Sequence, residues 1–337
     1  MGKATEDFFW RRLHSLSGLF LVLFLIEHLL TNSEAALFIG EDGHGFVKMV
    51  NLIHSLPYLP FIELFLLGFP IILHAAWGLK YLQGAQINSF PGNGSSPSLG
   101  GYLRNQAFTW QRVTSWILLF GIAFHVFEMR FEHYPVEAKT MDHKNYMVHQ
   151  NMDKGLYTLS KRLHVELYDG VHIANMRNGF EEKWTRHNKI IEKEQRKQEG
   201  RSLVQSPKKV MFDPERDLLL EKIQNYQIKD NWIKAMESIE VREGEVVAVA
   251  PNFGTATLLV VRDTFKSPLM VALYTIFVLA AVFHAFNGLW TFLISWGIVM
   301  NPRAQRKARV LTMTLMVLIA FLGLTSVWGT YWINLRY

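Results

Sequence analysis

The sequence predicts an all-α membrane protein of five transmembrane helices, with a soluble α+β insert between the third and the fourth. Three observations predict it. Charge falls into two regimes: residues 131–266 hold 22 Lys/Arg and 21 Asp/Glu, whereas the rest of the 337-residue chain holds 13 and 8. So few charges over so long a stretch exclude an ordinary soluble protein. Five apolar segments then stand out, Leu16–Thr31, Tyr58–Leu82, Thr109–Met129, Pro268–Met300 and Val310–Ile333. At a rise of about 1.5 Å per residue, each spans or nearly spans a hydrocarbon core about 30 Å thick. Finally, Lys3, Arg11, Arg12, Lys80, Arg104, Arg112, Arg303, Arg306, Lys307 and Arg309 fall on one side, against Lys48, Arg130 and Arg336 on the other. Basic residues mark the cytoplasmic side, so the N-terminus is expected inside and the C-terminus outside.

The expected divisions are 1–130 for helices one to three, 131–266 for an extracytoplasmic insert, and 267–337 for helices four and five. The first apolar run follows Arg11-Arg12 as a signal peptide would. It contains Glu27 and His28 and passes into Thr31-Asn32-Ser33 rather than a small-residue cleavage site, so it reads as a retained helix. Ser89–Gly101 reads as a cytoplasmic loop. Within the insert, residues 180–200 read as a solvated helix. Asp213-Pro214 reads as a helix start whose pattern runs to Arg242 and ends at Gly244. Glu245–Val249 and Thr257–Val261 read as two strands of a hairpin around Pro251-Asn252-Phe253-Gly254. There is no cysteine, which excludes disulfides, Cys-ligated zinc, iron–sulfur clusters held by this chain and thiol nucleophiles. The net charge of +6 lies mostly beside the apolar spans, so it argues for no nucleic-acid partner.

Four histidines lie within the spans, one on each of the first four helices: His28, His74, His125 and His284. An ionisable residue inside a membrane is costly and marks a functional site by default, although a lone histidine is as often hydrogen-bonded to a neighbouring helix. Depth separates the four. His28 and His125 lie within about 8 Å of the outer ends of their helices; His74 and His284 lie about 24–25 Å in from theirs. They therefore pair as His28 with His125 and His74 with His284, about 17 Å apart in depth. Two stacked bis-histidine pairs suit two b-type haems in a four-helix bundle, because neutral imidazole is a good axial ligand for iron. A tetrahedral zinc site would need its ligands at one depth. Gly78 and Gly288 follow His74 and His284 by four residues, and Gly121 precedes His125 by four. Glycine on the ligand's face leaves room for a flat macrocycle or for close helix packing.

Six local sequences carry a resemblance: Arg11-Arg12-Leu13-His14-Ser15-Leu16-Ser17-Gly18, Phe24-Leu25-Ile26-Glu27-His28-Leu29, His74-Ala75-Ala76-Trp77-Gly78, Gln111-Arg112-Val113-Thr114, His125-Val126-Phe127-Glu128 and His284-Ala285-Phe286-Asn287-Gly288-Leu289-Trp290. Together they resemble the cytochrome b558 membrane-anchor subunit, of the single-chain, di-haem type, of succinate dehydrogenases and fumarate reductases. The resemblance covers nearly all of 5–130 and 268–335. It implies His28, His74, His125 and His284 as haem iron ligands, the inner haem on the second and fourth helices and the outer on the first and third. It further implies flavoprotein and iron–sulfur partner subunits, electron transfer to quinone, and a bacterial cytoplasmic membrane. Family members usually join helices three and four by a short loop, so the insert is a departure that puts the outer surface near the outer haem and any outer quinone site in question, because the insert could cover it. The chain carries no flavin or nicotinamide signature, so succinate chemistry belongs to a partner.

Quinone reduction takes up two protons with two electrons, so its site needs groups that relay them. The outer site expected first is formed by Glu27 and Glu63 near His28; Glu128 also approaches the bilayer there and equally suits pairing with Arg130. An inner cluster of Arg11, Arg12, His14, Ser15 and Ser17 suits a second quinone site, haem propionates or the iron–sulfur subunit. Menaquinone is the favoured quinone. The competing readings are a fumarate reductase anchor running in the quinol-oxidising direction, a proton-coupled transporter, and a haem-free tether.

Overall fold

The computed structural model describes residues 3–38, 40–83, 89–90, 99–141, 143–202 and 214–336. In chain order come α1 (Lys3–Ser33), α2 (His44–His54), α3 (Leu59–Gln83) and α4 (Leu103–Glu132). There follow β1 (Val136–Lys139), β2 (Lys144–Asn151), α5 (Lys154–Arg162), β3 (Glu166–Tyr168), α6 (Gly170–Ser202), α7 (Pro214–Glu237) and β4 (Glu245–Ala250). α8 (Phe253–Thr264), α9 (Pro268–Ser295) and α10 (Pro302–Arg336) complete the order. Two compact units divide the chain: His133–Val260, and the segments before and after it.

In the flanking unit, α1, α3, α4, α9 and α10 are each long and apolar enough to cross a membrane, and the chain is a multi-pass membrane protein. A helix satisfies its backbone polar groups within its own segment, as a water-free core requires. Phe65, Ile72, Phe120 and Val317 are 63% to 68% exposed, an outward apolar surface suited to lipid. Side-chain caps start the last two spans. Ser267 Oγ accepts from the Met270 amide at 3.4 Å, and Asn301 Oδ1 from the Ala304 amide at 2.8 Å, each just before a proline. Single π turns interrupt α3 at Leu64–Gly68, α4 at Glu128–Glu132 and α10 at Thr325–Gly329.

Packing places the histidine-bearing helices in a ring. α1 lies against α3 and α9, α9 lies against α4, and α3 touches α4. α1 and α4 are thus opposite corners, as are α3 and α9. α10 packs outside the ring on α1 and α9. Close approach there depends on Gly323, where an added Cβ would lie 2.7 Å from Val278 Cγ1 and 3.2 Å from Leu29 Cδ1.

The His133–Val260 unit is built on a four-stranded antiparallel sheet of order β1-β2-β4-β3. Ala138, Met147, Val247 and Val249 on one face pack with Ile173 and Phe180 of α6 and Ile233 and Met236 of α7. Arg177 joins the two helices: its Nη1 donates to Asp230 at 2.6 Å and its Nε to Glu237 at 2.8 Å.

Here the structure departs from three expectations. The segment 257–261 is no strand; it belongs to α8. Both ladder edges of β4 are already taken, by β2 and β3, so a following strand has nothing to pair with. Asn252 Oδ1 instead accepts from the Thr255 amide at 2.9 Å and caps a helix whose Leu258, Leu259 and Val260 are buried. A short apolar run of this kind has no period that separates a strand from a buried helix. α7 ends at Glu237 rather than Arg242, and Gly244, at φ +85°, makes the turn into β4. α6 begins at Gly170, ahead of the charged stretch, because Ile173 and Phe180 give it an apolar stripe. Asp213 and most of the 89–101 loop lie outside the described residues.

Hydrogen bonds from Lys234 and Arg177 hold the Asp230 carboxyl below the usual carboxylate range, and Arg177 does the same for Glu237. Depressed carboxyl pKa values stabilise above the unfolded pKa, and that stability is lost as pH falls through the folded value. Arg177→Ala should therefore cost this unit about 1–2 kcal/mol near neutral pH and much less below the carboxylate range. Urea unfolding of the full chain at both pH values, followed by tryptophan fluorescence, checks this; an equal loss at both would refute the ion-pair account.

Candidate functional site

Each histidine pair spans opposite corners of the ring. The rings of His28 on α1 and His125 on α4 have centroids 5.9 Å apart at 76°. Those of His74 on α3 and His284 on α9 are 6.1 Å apart at 78°. Metal–imidazole bonds are about 2.0–2.1 Å long, so two in line on one iron, with half a ring beyond each, put the centroids about 6 Å apart. Among the described residues no three His, Cys, Asp or Glu side chains converge on one point. The donors come two at a time, which suits axial ligation of a flat macrocycle.

The Nδ1 partners decide which nitrogen is left over. His74 Nδ1 donates to the His14 carbonyl of α1 at 3.1 Å, with Ser17 Oγ at 3.3 Å. His284 Nδ1 donates to the Gln111 carbonyl of α4 at 3.2 Å, with Thr114 Oγ1 at 3.3 Å. A carbonyl can only accept, so the proton sits on Nδ1 in both rings and the lone pair on Nε2. His125 Nδ1 lies 3.0 Å from the Tyr274 hydroxyl, which donates to Glu128 Oε2 at 2.8 Å; the hydroxyl proton is committed, so His125 donates here too. His28 differs. Asn32 Nδ2 lies 3.5 Å from its Nδ1 and donates to the His28 carbonyl at 2.8 Å. Metal-bound histidines usually donate their second N–H in this manner, which fixes tautomer and ring orientation. Donor set and spacing, and the tautomer in three of the four rings, fit a bis-histidine haem.

The other expected residues fall as follows. Glu63 of α3 is ion-paired with Arg130 of α4 at 3.0 Å, half exposed at the helix ends. Glu27 accepts from Thr31 Oγ1 at 2.8 Å, one turn along α1. Glu128, rather than pairing with Arg130 at the surface, is 8% exposed and held by Tyr274. His14 stacks on His74, with centroids 4.0 Å apart at 15°, and its Nδ1 is buried without a hydrogen-bond partner. Ser17 Oγ donates to the His14 carbonyl at 2.8 Å. Ser15 Oγ accepts from Trp296 Nε1 at 3.2 Å. The Arg12 guanidinium lies over the Phe8 and Trp296 rings, and Arg11 lies beside Tyr81.

Sequence reasoning gave no role to Tyr274, Gln111, Asn287 or Gly18. Gln111 Nε2 donates to the His284 carbonyl at 3.0 Å, and its Oε1 accepts from Asn287 Nδ2 at 2.7 Å. A glutamine and an asparagine inside apolar spans were the available signal, since polar groups there need partners. The glycines serve helix and ring packing. An added Cβ would lie 3.7 Å from His14 Cε1 at Gly78, 3.7 Å from Gln111 Nε2 at Gly288, and 2.5 Å from the Phe277 ring at Gly121.

These features define a class: a multi-pass helical membrane protein with two half-buried histidine pairs at the corners of a four-helix ring. The comparison with curated proteins is more particular. The chain is similar over nearly its whole length to the succinate dehydrogenase cytochrome b558 subunit of Bacillus subtilis (strain 168), with 23% identity over 326 residues, 96% of this chain and 98% of that protein. The resemblance carried by the helix motifs therefore holds from end to end. No family model matches the chain, and no solved structure does.

At Gly18 an added Cβ would stand 2.9 Å from His74 Cε1. Gly18→Val should therefore push His74 away and lower stability by about 1–3 kcal/mol. Gly101→Val, where nothing lies within 4 Å, should be near neutral. Thermal unfolding in detergent compares the two, and equal midpoints would refute the packing argument.

Proposed function

We propose that the chain is the di-haem cytochrome b membrane subunit of a succinate:quinone oxidoreductase, anchoring flavoprotein and iron–sulfur subunits and passing electrons to quinone. The observation that carries the proposal is the two histidine pairs, at 5.9 and 6.1 Å, with the Nδ1 proton committed in three of the four rings. The full-length similarity to a cytochrome b558 subunit supports it independently. His74 and His284 would hold the inner haem, and His28 and His125 the outer. Bound there, the two groups supply one-electron redox chemistry at two depths. The protein's part is to orient three of the four imidazoles through their Nδ1 hydrogen bonds and to keep water from the ring interior.

The quinone site we favour is the outer one, where Glu27 and Glu63 would relay protons. Glu63 is half exposed, so it reaches water beside its partner Arg130. A second reading, an inner site, is favoured by one observation, the buried His14 Nδ1 without a partner beside His74. The same atom suits a haem propionate. The basic residues Arg11, Arg12, Arg104, Arg303 and Arg306 would face the cytoplasm and the partner subunits. The insert, His133–Val260 by its own core, would lie outside, since long domains translocate largely regardless of charge.

A reduced-minus-oxidised optical spectrum of the purified chain should show two b-type haems. His74→Ala or His284→Ala should remove one and His28→Ala or His125→Ala the other; a variant that keeps both would refute that residue's assignment.

Outward electron transfer runs with a membrane potential positive outside, at about 2.3 kcal/mol per charge per 100 mV. That suits a low-potential quinone such as menaquinone. Succinate-to-quinone activity should then fall on adding an uncoupler, and Glu63→Gln should slow quinone reduction while both haems stay reducible by succinate. Indifference to the uncoupler, with loss of activity in His14→Ala or Ser15→Ala, would move the site inward.

A further inference from the structure

The four histidines are not equivalent behind their rings. His74 and His284 donate to backbone carbonyls, which are neutral. His28 has only the 3.5 Å approach of the Asn32 amide. His125 alone is backed by a side chain that leads to a carboxyl group. Its Nδ1 is 3.0 Å from the Tyr274 hydroxyl, and that hydroxyl donates at 2.8 Å to Glu128 Oε2. Both residues are buried, Tyr274 at 7% exposure and Glu128 at 8%.

The local fold makes this arrangement. Glu128 lies three residues beyond His125, where α4 passes into its π turn. Its buried carboxylate meets α9 rather than turning outward to water. Tyr274 stands on α9 and is hemmed in by Phe265 and Phe277, with ring centroids at 5.2 and 6.1 Å. The hydroxyl is thus held between imidazole and carboxylate with little freedom to turn elsewhere. π turns recur at functional sites.

We propose that Tyr274 and Glu128 set the redox potential of the haem held by His125, making it lower than an imidazole backed by a neutral carbonyl would. The inference rests on the di-haem reading above. A carboxylate drawing on Nδ1–H through the tyrosine makes the imidazole a stronger electron donor at Nε2, as second-shell carboxylates do for metal-bound histidine. A more basic ligand and nearby negative charge in a low-dielectric interior both favour ferric over ferrous iron. Neither residue touches the iron; both act through His125 and are positioning residues. The asymmetry is confined to one pair, so it separates the potentials of two haems that otherwise share the same ligand set.

Redox titration of the purified complex, followed at the haem absorption bands, tests this. His125→Ala first identifies which of the two haems belongs to that residue. Tyr274→Phe keeps the ring and its packing but breaks the relay; Glu128→Gln keeps a hydrogen-bond acceptor but removes the charge. In both variants the midpoint potential of the His125 haem should shift positive, while the other haem stays where it is in the unmodified protein. An unchanged potential in either variant, an equal shift of both haems, or loss of the pigment would overturn the proposal; pigment loss would mean that the relay holds the ring rather than tunes it. Unmodified protein lacking two redox-active haems would instead sink the di-haem reading itself.

Discussion

The proton on Nδ1 of a membrane-embedded imidazole must go to an acceptor, and for three of the four histidines that acceptor comes from a neighbouring helix of the ring. α1 supplies the His14 carbonyl to His74 of α3, α4 supplies the Gln111 carbonyl to His284 of α9, and α9 supplies Tyr274 to His125 of α4. These bonds fix which neighbours touch and which stand diagonal. A helical side chain leans toward its N-terminus and covers the turn before it, so the residue at i+4 shields the carbonyl of residue i. Gly18 stands four residues after His14, and Gly288 four after His284, whose carbonyl accepts from Gln111. At Gly18 an added Cβ would stand 2.9 Å from His74 Cε1, whereas at Gly288 it would only touch Gln111 Nε2 at 3.7 Å.

That constraint explains what was legible in the sequence. The pairing of His28 with His125 and of His74 with His284 follows from counting residues to the helix ends, because a helix converts sequence number into depth at a fixed rise. The structure brings those same residues together. The five spans were readable for the same reason, since lipid demands length and apolarity and little else. The partners of the rings were not readable. Which carbonyl accepts from which imidazole depends on helix neighbours and rotation, and no single-sequence pattern carries those. The glycines therefore read as space for a macrocycle when they also uncover carbonyls and seat rings. Glu128 read as a carboxylate at the bilayer edge that equally suited Arg130, because the Tyr274 hydroxyl that holds it comes from another helix. In the insert, the strand expected at 257–261 failed on topology: β4 is central, and no periodicity within the segment reports that.

The two ends of the ring differ in chemistry. Around His74 and His284 the polar groups are carbonyls, hydroxyls and the stacked His14 ring. Around His28 and His125 a buried carboxylate stands behind one ligand, and an ion pair between Glu63 and Arg130 joins α3 and α4. A carboxyl group thus stands behind a ring of one pair, whereas the rings of the other are backed by neutral carbonyls. In a medium that strengthens electrostatics, that difference acts on whatever the rings hold.

The same hydrogen bonds bear on the rival reading of a proton-relaying transporter. A histidine relay needs both ring nitrogens exchanging protons with groups that can pass them on. The carbonyls of His14 and Gln111 accept a proton's hydrogen bond but cannot take the proton forward, so His74 and His284 are dead ends on that side. Centroids about 6 Å apart leave facing nitrogens about 4 Å apart, beyond the roughly 3.2 Å limit of a direct hydrogen bond. The geometry that blocks a proton is the one that suits a metal. One nitrogen is fixed and spent, the other keeps its lone pair, and the gap between rings equals two coordination bonds. A transporter would also draw its titratable groups along one continuous path, whereas these stand in two separate diagonal pairs. The arrangement suits a metal held between paired rings and is poorly suited to relaying protons.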